Sequence, residues 1–304
     1  MLNSTLANAT ATDALTLTLT DTTLLSVDDL IALDAKTSVN VNAASVDTIE
    51  GTVSEVNTLY GINGVSNLGN DTVNVSNSGN FTSSNFSNIV NGDITHLNFA
   101  DNSDGMSFTN ASDFDTWKAK FTSIDFGTSN DDSISFTSSI SGNLDFSNIS
   151  DLETLNLSAS GDNLTISGDE PTHINGLGGN DSFVLDFTNI ANFTVDAGAD
   201  TDTLSITVSN GNTLAGNFSN FEVLNLSGTG TISIDDAVIN SWSSNADSLS
   251  LSFNENSTYN YSTDGGTSWT SGVLTLNDPT SGDHYIVSLD TTYNVNDDLT
   301  LHVV

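Results

Sequence analysis

Two short segments of the sequence place carboxylates at the same point before a strand-like stretch. In GLGGNDSFV, residues 176–184, a glycine-rich stretch ends at Asp181 and alternating apolar residues follow. In AGADTDTLS, residues 197–205, the same order leads to Asp202, 21 residues further along the chain. Carboxylate oxygens are hard ligands of the kind that calcium prefers. The two segments therefore predict turns that could hold a divalent cation.

The charge of the chain also favours a cation as its partner. The 304 residues include 39 Asp and Glu but only three basic residues, Lys36, Lys118 and Lys120, so the formal net charge is −36. Nucleic acids and anionic membrane surfaces are disfavoured as partners, because proteins bind both through Lys and Arg. Carboxylates without basic neighbours must be solvated, screened by salt or bound to metal.

The composition favours a folded β protein over a disordered acidic chain. Apolar residues make up 36% of the sequence and recur at regular spacing, and there are only two prolines. The polar residues are mainly Ser, Thr, Asn and Asp, which form turns. There is no cysteine, so neither disulfides nor thiolate metal sites contribute. No stretch approaches the roughly 20 apolar residues of a membrane-spanning helix, so no membrane insertion is expected.

Residues 1–125 predict a mixed α/β region in which helices interrupt strand-like stretches. SVDDLIALDAK predicts a helix with Ser26 as its N-cap. TVSEVNTLYG predicts a second helix, in which Thr52 and Glu55 form a capping box. SDFDTWKAKF predicts a third helix, capped by Ser112, with its aromatic side chains on one face.

Residues 126–244 predict a β-solenoid. Short strands such as SISF, LTIS, SFVLDF and TLSITV alternate with turns of Gly, Asn, Asp and Ser every 8 to 12 residues. FSNISDLETLNLS, from residue 146, recurs as FSNFEVLNLS, from residue 218. Repeated turn-and-strand units with one apolar face bury that face by stacking on each other. A β-sandwich is the alternative fold.

Residues 245–304 predict a small antiparallel β unit. YNYSTDGGTSWTSGVLTL predicts a hairpin with its turn at Asp264, Gly265 and Gly266. YSTDGG followed by tryptophan resembles a stretch of tandem bacterial immunoglobulin-like modules, which implies an Ig-like unit. The chain stops in DLTLHVV, a predicted strand, so we expect it to be a piece of a longer protein.

The two acidic turns resemble the nonapeptide G-G-x-G-x-D-x-φ-x of RTX proteins, in which φ is apolar and faces the core. The first copy fits at Gly176, Gly179, Asp181 and Phe183, and it departs at Leu177, where the second glycine belongs. The second copy keeps Gly198, Asp202 and Leu204, and has Asp200 at the fourth position instead of glycine. Looser copies around Asp71, Asp131 and Asp247 are interpreted as turns that merely border strands.

The resemblance implies a calcium site. In RTX proteins calcium lies between successive coils, bound by such aspartates and by carbonyl oxygens of the turns. Carried over to this chain, one or two Ca²⁺ ions would be held by Asp181 and Asp202. Gly179, Asp200 and Asp196 would assist.

A wider resemblance concerns residues 30–76 and the ETLNLS stretch, which look like parts of bacterial surface-layer proteins and RTX adhesins. It implies a non-catalytic, calcium-dependent structural segment at the cell surface, exported by a type I system. Its partners would be other copies of itself, in a lattice or filament, or a cell-surface glycan.

The alternative function is a carbohydrate-active β-helix enzyme or a sugar-binding module. A polysaccharide lyase is disfavoured, because such enzymes need Arg or Lys beside their acidic sugar. The four histidines show no paired spacing that would indicate a zinc protease.

Overall fold

The structure is a computed structural model that describes residues 2–20, 24–68, 71–99, 104–168, 171–186 and 194–208, with shorter segments between 212 and 303. The chain divides into two compact units. Unit 1 comprises Met1–Ser135 and Ser147–Glu153, and unit 2 comprises Phe136–Phe146 and Thr154–Val304. The region boundaries expected at residues 125 and 244 remain predictions.

Unit 1 is built on parallel strands. Its strands are β1 Leu25–Ser26, β2 Val41–Asn42, β3 Thr48–Gly51, β4 Val65–Ser66, β5 Asp71–Val75, β6 Gly79–Thr82, β7 Ile94–Asn98, β8 Asp104–Phe108, β9 Ser123–Asp125, β10 Ser133–Phe136 and β12 Ile149–Ser150. A six-stranded sheet has the order β1-β3-β5-β7-β9-β12, and all neighbouring strands in it are parallel. Strand β6 pairs in parallel with β8, and β2 with β4.

Helices follow several of these strands. They are α1 Leu2–Thr5, α2 Val27–Asp34, α3 Val53–Gly61 and α4 Ala111–Lys118, with a 3₁₀ turn at Ser83–Phe86. The predicted capping box of α3 is confirmed, because Thr52 Oγ1 accepts the N–H of Glu55 and Glu55 Oε2 accepts the N–H of Thr52. Ser26 is the N-cap residue of α2, as predicted, although its side chain makes no capping bond.

The predicted cap of the third helix is wrong. Helix α4 begins at Ala111, so Ser112 already lies inside it. The cap is Asn110, whose Oδ1 accepts the N–H of Asp113 at 3.1 Å. Asp113 in turn accepts the N–H of Thr109 through Oδ2 at 2.9 Å. Two amides at the start of the helix are thereby satisfied, which Ser112 could not do from its position.

The aromatic residues of α4 anchor it to the core of unit 1, as their predicted common face requires. Trp117 is 1% exposed, and its ring centroid lies 5.2 Å from that of Phe108, 5.4 Å from Phe121 and 5.9 Å from Phe86. Full burial of such a side chain contributes roughly 2–3 kcal/mol to folding. These rings are therefore core rather than a ligand platform.

Unit 2 contains the remaining strands. They are β11 Ser141–Asp145, β13 Thr154–Asn156, β14 Asn163–Ser167, β15 His173–Asn175, β16 Ser182–Asp186, β17 Thr194–Asp196, β18 Thr203–Val208, β19 Asn212–Leu214, β20 Phe218–Ser219, β21 Val223–Gly228, β22 Gly230–Ile234, β23 Ser250–Phe253, β24 Tyr259–Ser262, β25 Thr270–Gly272, β26 Tyr285–Ser288 and β27 Leu299–Val303. A seven-stranded sheet has the order β11-β14-β16-β18-β21-β23-β26. Strands β13, β15, β17 and β20 pair in parallel in that order.

The register of the seven-stranded sheet stacks apolar residues in a line. Leu164 pairs with Phe183, Phe183 with Leu204, and Leu204 with Leu224, and all four are buried. Each strand thus meets its partner about one repeat later in the sequence. The protein is mainly β with parallel sheets, which is compatible with a β-solenoid or roll.

Antiparallel pairing occurs in the described part of the C-terminal region. Strand β24 pairs antiparallel with β25 and with β27. The predicted hairpin turn at Asp264, Gly265 and Gly266 lies outside the described residues.

Candidate functional site

Six aspartates among the described residues have buried side chains, and each lies two positions before a buried apolar residue. They are Asp71, Asp104, Asp132, Asp162, Asp181 and Asp202, none more than 2% exposed. Asp181 precedes Phe183, for example, and Asp202 precedes Leu204. Alternate residues of a strand point to the same face, so the carboxylate points to the core together with the apolar side chain. The order Asp-x-apolar therefore places an acidic group inside the protein.

In unit 2 three of these aspartates form a ladder, which we call the unit 2 ladder: Asp162, Asp181 and Asp202. The backbone N–H of Asp162 donates to Oδ1 of Asp181 at 2.8 Å. The N–H of Asp181 donates to Oδ1 of Asp202 at 2.7 Å. Asp162 itself accepts the N–H groups of Ile140 and Ser158. Each carboxylate is thus tied to the backbone of the repeat before it.

Unit 1 contains a second ladder, which we call the unit 1 ladder: Asp104, Asp132 and Glu153. The N–H of Gly79 donates to Oδ1 of Asp104 at 2.9 Å, and the N–H of Asp104 donates to Oδ1 of Asp132 at 2.7 Å. The N–H of Asp132 donates to Oε2 of Glu153 at 3.1 Å. The same arrangement therefore exists without any glycine-rich nonapeptide.

The two nonapeptide-like turns have the same backbone conformation. Leu177 and Gly198, one repeat apart, have φ of 70° and 101°. Gly179 and Asp200, also one repeat apart, have φ of 100° and 88°. The positions where the sequence departs from the glycine pattern, Leu177 and Asp200, thus keep the left-handed conformation that glycine adopts at no steric cost.

At two positions neighbouring repeats approach each other so closely that only glycine fits. A Cβ on Gly176 would lie 2.0 Å from the carbonyl oxygen of Ala197 and 2.7 Å from Oδ2 of Asp181. A Cβ on Gly179 would lie 2.3 Å from the N of Gly161. Any larger residue at these positions would push the repeats apart and displace the Asp181 carboxylate.

The residues predicted to bind calcium separate into a buried pair and exposed residues. Asp181 and Asp202 are buried and joined through the ladder. Asp200 is exposed, and its Oδ2 accepts the N–H of Gly179 at 3.2 Å. Asp196 is exposed and bonds elsewhere, since its Oδ1 accepts from the N–H of Gly198 and from Nδ2 of Asn220.

Side chains alone do not enclose a metal ion in the part of the chain that the structure describes. No three or more His, Asp or Glu side chains there converge closely enough to hold one. A cation at the Asp181–Asp202 pair would therefore need backbone carbonyl oxygens or water as further ligands, which calcium accepts readily.

The electrostatics of both ladders favour uptake of a positive charge. Burial raises the pKa of Asp181 to about 7; the N–H of Asp162 opposes this, and the carboxylates of Asp162, Asp202 and Asp200 reinforce it. Burial likewise raises the pKa of Asp104 to about 6, against the bond from Gly79 and with help from Asp132 and Asp131.

Two carboxylate oxygens of the ladders, Oδ2 of Asp181 and Oδ2 of Asp104, are buried and accept no hydrogen bond from the described residues. A buried anionic oxygen in this state is costly unless a proton or a cation neutralises it. The ladders can therefore bind protons or cations.

Sequence reasoning missed Asp104, Asp132 and Asp162. The loose copy at residue 131 pointed to the wrong neighbour, because Asp131 is exposed while Asp132 enters the ladder. Asp71, interpreted as a turn residue, is the buried first residue of β5. The signal that could have found all of them is Asp two positions before an alternating apolar run. Asp247 lies outside the described residues.

No protein-family model, no curated protein and no solved structure matches this chain. Within the described residues, no helix is both long and apolar enough to span a bilayer.

Proposed function

We propose that this chain is a β-solenoid segment of a calcium-dependent structural protein at the bacterial cell surface, of the surface-layer or RTX-adhesin type. The observation that carries the proposal is the unit 2 ladder, in which buried aspartates of successive repeats are stacked at glycine-rich turns. The segment has no catalytic role; it supplies length and rigidity, as part of a lattice or a stalk.

Calcium would act at the Asp181–Asp202 pair, where two buried carboxylates lie in successive repeats. The charged neighbours that shift the pKa of Asp181 are all carboxylates. A divalent cation there would neutralise two buried charges, with carbonyl oxygens of the turn that contains Gly179 completing its shell. Asp200 lies in the second turn and Asp196 ends strand β17 just before it, and both would contribute from the exposed side.

Coupling of calcium to folding suits a protein that works outside the cell. A ligand that binds only the folded state adds about 2.7 kcal/mol of stability at a concentration 100 times its Kd. With a net charge of −36, repulsion among the carboxylates lowers the stability of the calcium-free fold and favours the extended chain during export. Extracellular calcium would then trigger folding after export by a type I system.

The experiment compares thermal melting in calcium and in chelator for the wild type and for the double variant Asp181→Asn/Asp202→Asn. Asparagine retains an oxygen that can accept the ladder N–H, so the fold is preserved while the charge is lost. We expect calcium to raise the melting temperature of the wild type and to leave that of the variant nearly unchanged.

The matched control is Asp47→Asn/Asp115→Asn, which removes two exposed carboxylates and changes the net charge equally. It should respond to calcium as the wild type does. A wild type whose melting temperature is the same in calcium and in chelator would refute the calcium proposal.

A further inference from the structure

The outer surface of the seven-stranded sheet in unit 2 carries two rows of uncharged residues. The first row pairs Ser141, Asn163, Ser182, Thr203 and Val223 across five strands. The second row, two positions further along each strand, pairs Asn143, Thr165, Val184, Ser205 and Asn225. All ten are exposed or half-buried, and we call them the neutral face.

Rows that contain carboxylates border the neutral face and also occur in the other parallel sheets. On the same sheet the third row pairs Asp145 with Ser167 and Asp186 with Thr207. In unit 1 the row that runs through Asn74 and Asn98 also contains Glu50 and Asp125. In the sheet that contains β13, β15 and β17, the row through Asn156 and Asn175 contains Asp196. The neutral face is therefore an uncharged patch of ten residues, bordered by one acidic row, on a chain that carries 39 acidic residues.

The shape and composition of the neutral face suit contact with another flat surface. Its side chains are short, so little rotamer freedom is lost when they are covered. Val184, in the centre of the second row, is 42% exposed. Parallel sheets are usually covered on both faces, and here the inner face is filled by the core while the outer face is open at Asn143, Thr165 and Val184.

We propose that the neutral face is where two copies of this chain associate, each presenting the same ten residues to the other. Two molecules of charge −36 repel each other wherever acidic turns meet, so a stable contact has to use a surface without carboxylates. An isologous two-fold contact achieves this, because the same uncharged patch serves both partners. The inference deepens the proposed structural function and rests on it.

The area of the neutral face determines how strongly two copies should associate. With strands about 4.8 Å apart and alternate residues about 6.8 Å apart, ten residues cover roughly 300 Å², against about 800 Å² per partner in a standard interface. The contact is therefore weak between two molecules in solution. It becomes strong only when many copies are held side by side and many such contacts form together. Protein concentrations of about 0.1–1 mM are needed to detect it.

The experiment is sedimentation equilibrium of the full chain in calcium over that range. The test variant is Thr165→Glu/Ser205→Glu, which flanks Val184 with two carboxylates. The control is Thr72→Glu/Ser123→Glu, which flanks His96 in the same way on the outer surface of the unit 1 sheet. Circular dichroism and melting establish that both variants fold.

We expect the mass of the wild type and of the control to rise with concentration. The test variant should stay monomeric, with its dimer Kd raised at least tenfold. Added sodium chloride should strengthen association of the wild type, because it screens the repulsion between the acidic turns. A wild type that remains monomeric, or a test variant that associates like the control, overturns the proposal, as does binding of a neutral polysaccharide such as dextran to this face of a monomer.

Calcium-dependent melting measured on the same samples separates the two proposals. If melting still depends on calcium while association fails, only the neutral-face contact is wrong. If calcium has no effect on melting, the proposed function fails first.

Discussion

The backbone N–H of Asp181 donates to Oδ1 of Asp202 at 2.7 Å, although both side chains are buried and both are acidic. The bond joins one repeat to the next through a carboxylate, where a parallel sheet alone would use only backbone carbonyls. The same relationship joins Asp162 to Asp181 and Asp104 to Asp132. Stacked carboxylates are thus a general device of this fold, and their charge makes its stability depend on pH and on ions.

The Asp104→Asn substitution should stabilise the protein at neutral and alkaline pH. Asp104 has a pKa raised from 3.8 to about 6 by burial, so the fold favours its protonated form. As pH rises from about 4 through 6 the folded protein must give up that proton, and up to roughly 3 kcal/mol of stability is lost. Asparagine is neutral throughout and can still accept the N–H of Gly79.

Urea denaturation from pH 4 to 8 measures this effect. The variant and the wild type should be nearly equal at pH 4 and should diverge up to about pH 7. Asp115→Asn, which removes an exposed carboxylate, should show no such divergence. Equal free energies of unfolding for Asp104→Asn and the wild type at pH 8 would contradict the conclusion that the ionised Asp104 carboxylate destabilises the folded protein.

The Leu177→Gly substitution should also stabilise the protein. Leu177 has φ of 70° and is 53% exposed, so its side chain adds backbone strain and little burial. Relief of a left-handed non-glycine residue gives about 1–2 kcal/mol, and the freer unfolded chain takes back about 0.4–1 kcal/mol. The net gain is roughly 0.5–1 kcal/mol, measurable by chemical denaturation in calcium.

Two matched variants test the reason for that gain. Leu177→Ala keeps the Cβ, so it should gain nothing. Gly179→Ala, at φ of 100°, places a Cβ 2.3 Å from the N of Gly161 and should destabilise the protein strongly. If Leu177→Ala stabilises the protein as much as Leu177→Gly does, the exposed leucine side chain, rather than backbone strain, is what destabilises the wild type.

The Asp151→Asn substitution should give a small stabilisation, because an equivalent corner of the fold already uses asparagine. Asn220, with φ of 59°, donates its Nδ2 to Oδ1 of Asp196 at 2.6 Å. Asp151, with φ of 56°, brings a carboxyl against Asp125 instead, and burial together with that charge raises its pKa. Asparagine would supply the missing donor.

Both carboxylates of that corner are near solvent, so screening limits the gain to a few tenths of a kcal/mol, on the order of 1 °C in melting temperature. The gain should vanish in acid, where Asp151 takes up its proton. The reciprocal change Asn220→Asp should lower the melting temperature. The idea fails if both substitutions shift stability in the same direction.

Salt should partly replace calcium. In chelator, the acidic groups of a chain of net charge −36 repel one another, and sodium chloride at about 0.5 M reduces the Debye length to about 4 Å. We expect the melting temperature of the calcium-free protein to rise between 0.05 and 0.5 M salt. In calcium the rise should be smaller, since the buried charges are already neutralised; an equal rise would mean that calcium is not bound.

Much of the local structure was predictable from sequence. The capping box of Thr52 and Glu55 depends on residues three apart, and the strands of the central region on alternation over a few residues, so both could be found by inspection. The spacing of 21 residues between Asp181 and Asp202 correctly indicated that they lie in neighbouring repeats.

The unit 1 ladder was harder to predict, because its signal is distributed. Asp104, Asp132 and Glu153 are separated by 28 and 21 residues and share no glycine pattern. The visible sequence repeat was also misleading about position: its strand Thr154–Asn156 lies in a different sheet from the matching strand Val223–Gly228. Which sheet a repeat joins depends on the length of the turns around it, and the local pattern does not contain that information.

The ladder has a direction along the chain. Asp162 offers an amide that Asp181 satisfies, 19 residues later, and Asp181 offers one that Asp202 satisfies, 21 residues after that. Each of these repeats therefore depends on its successor in the sequence to close its own corner. A folding intermediate that stops partway along the ladder ends in an amide without its acceptor, so we expect the structure to propagate from repeat to repeat rather than to form in isolated repeats.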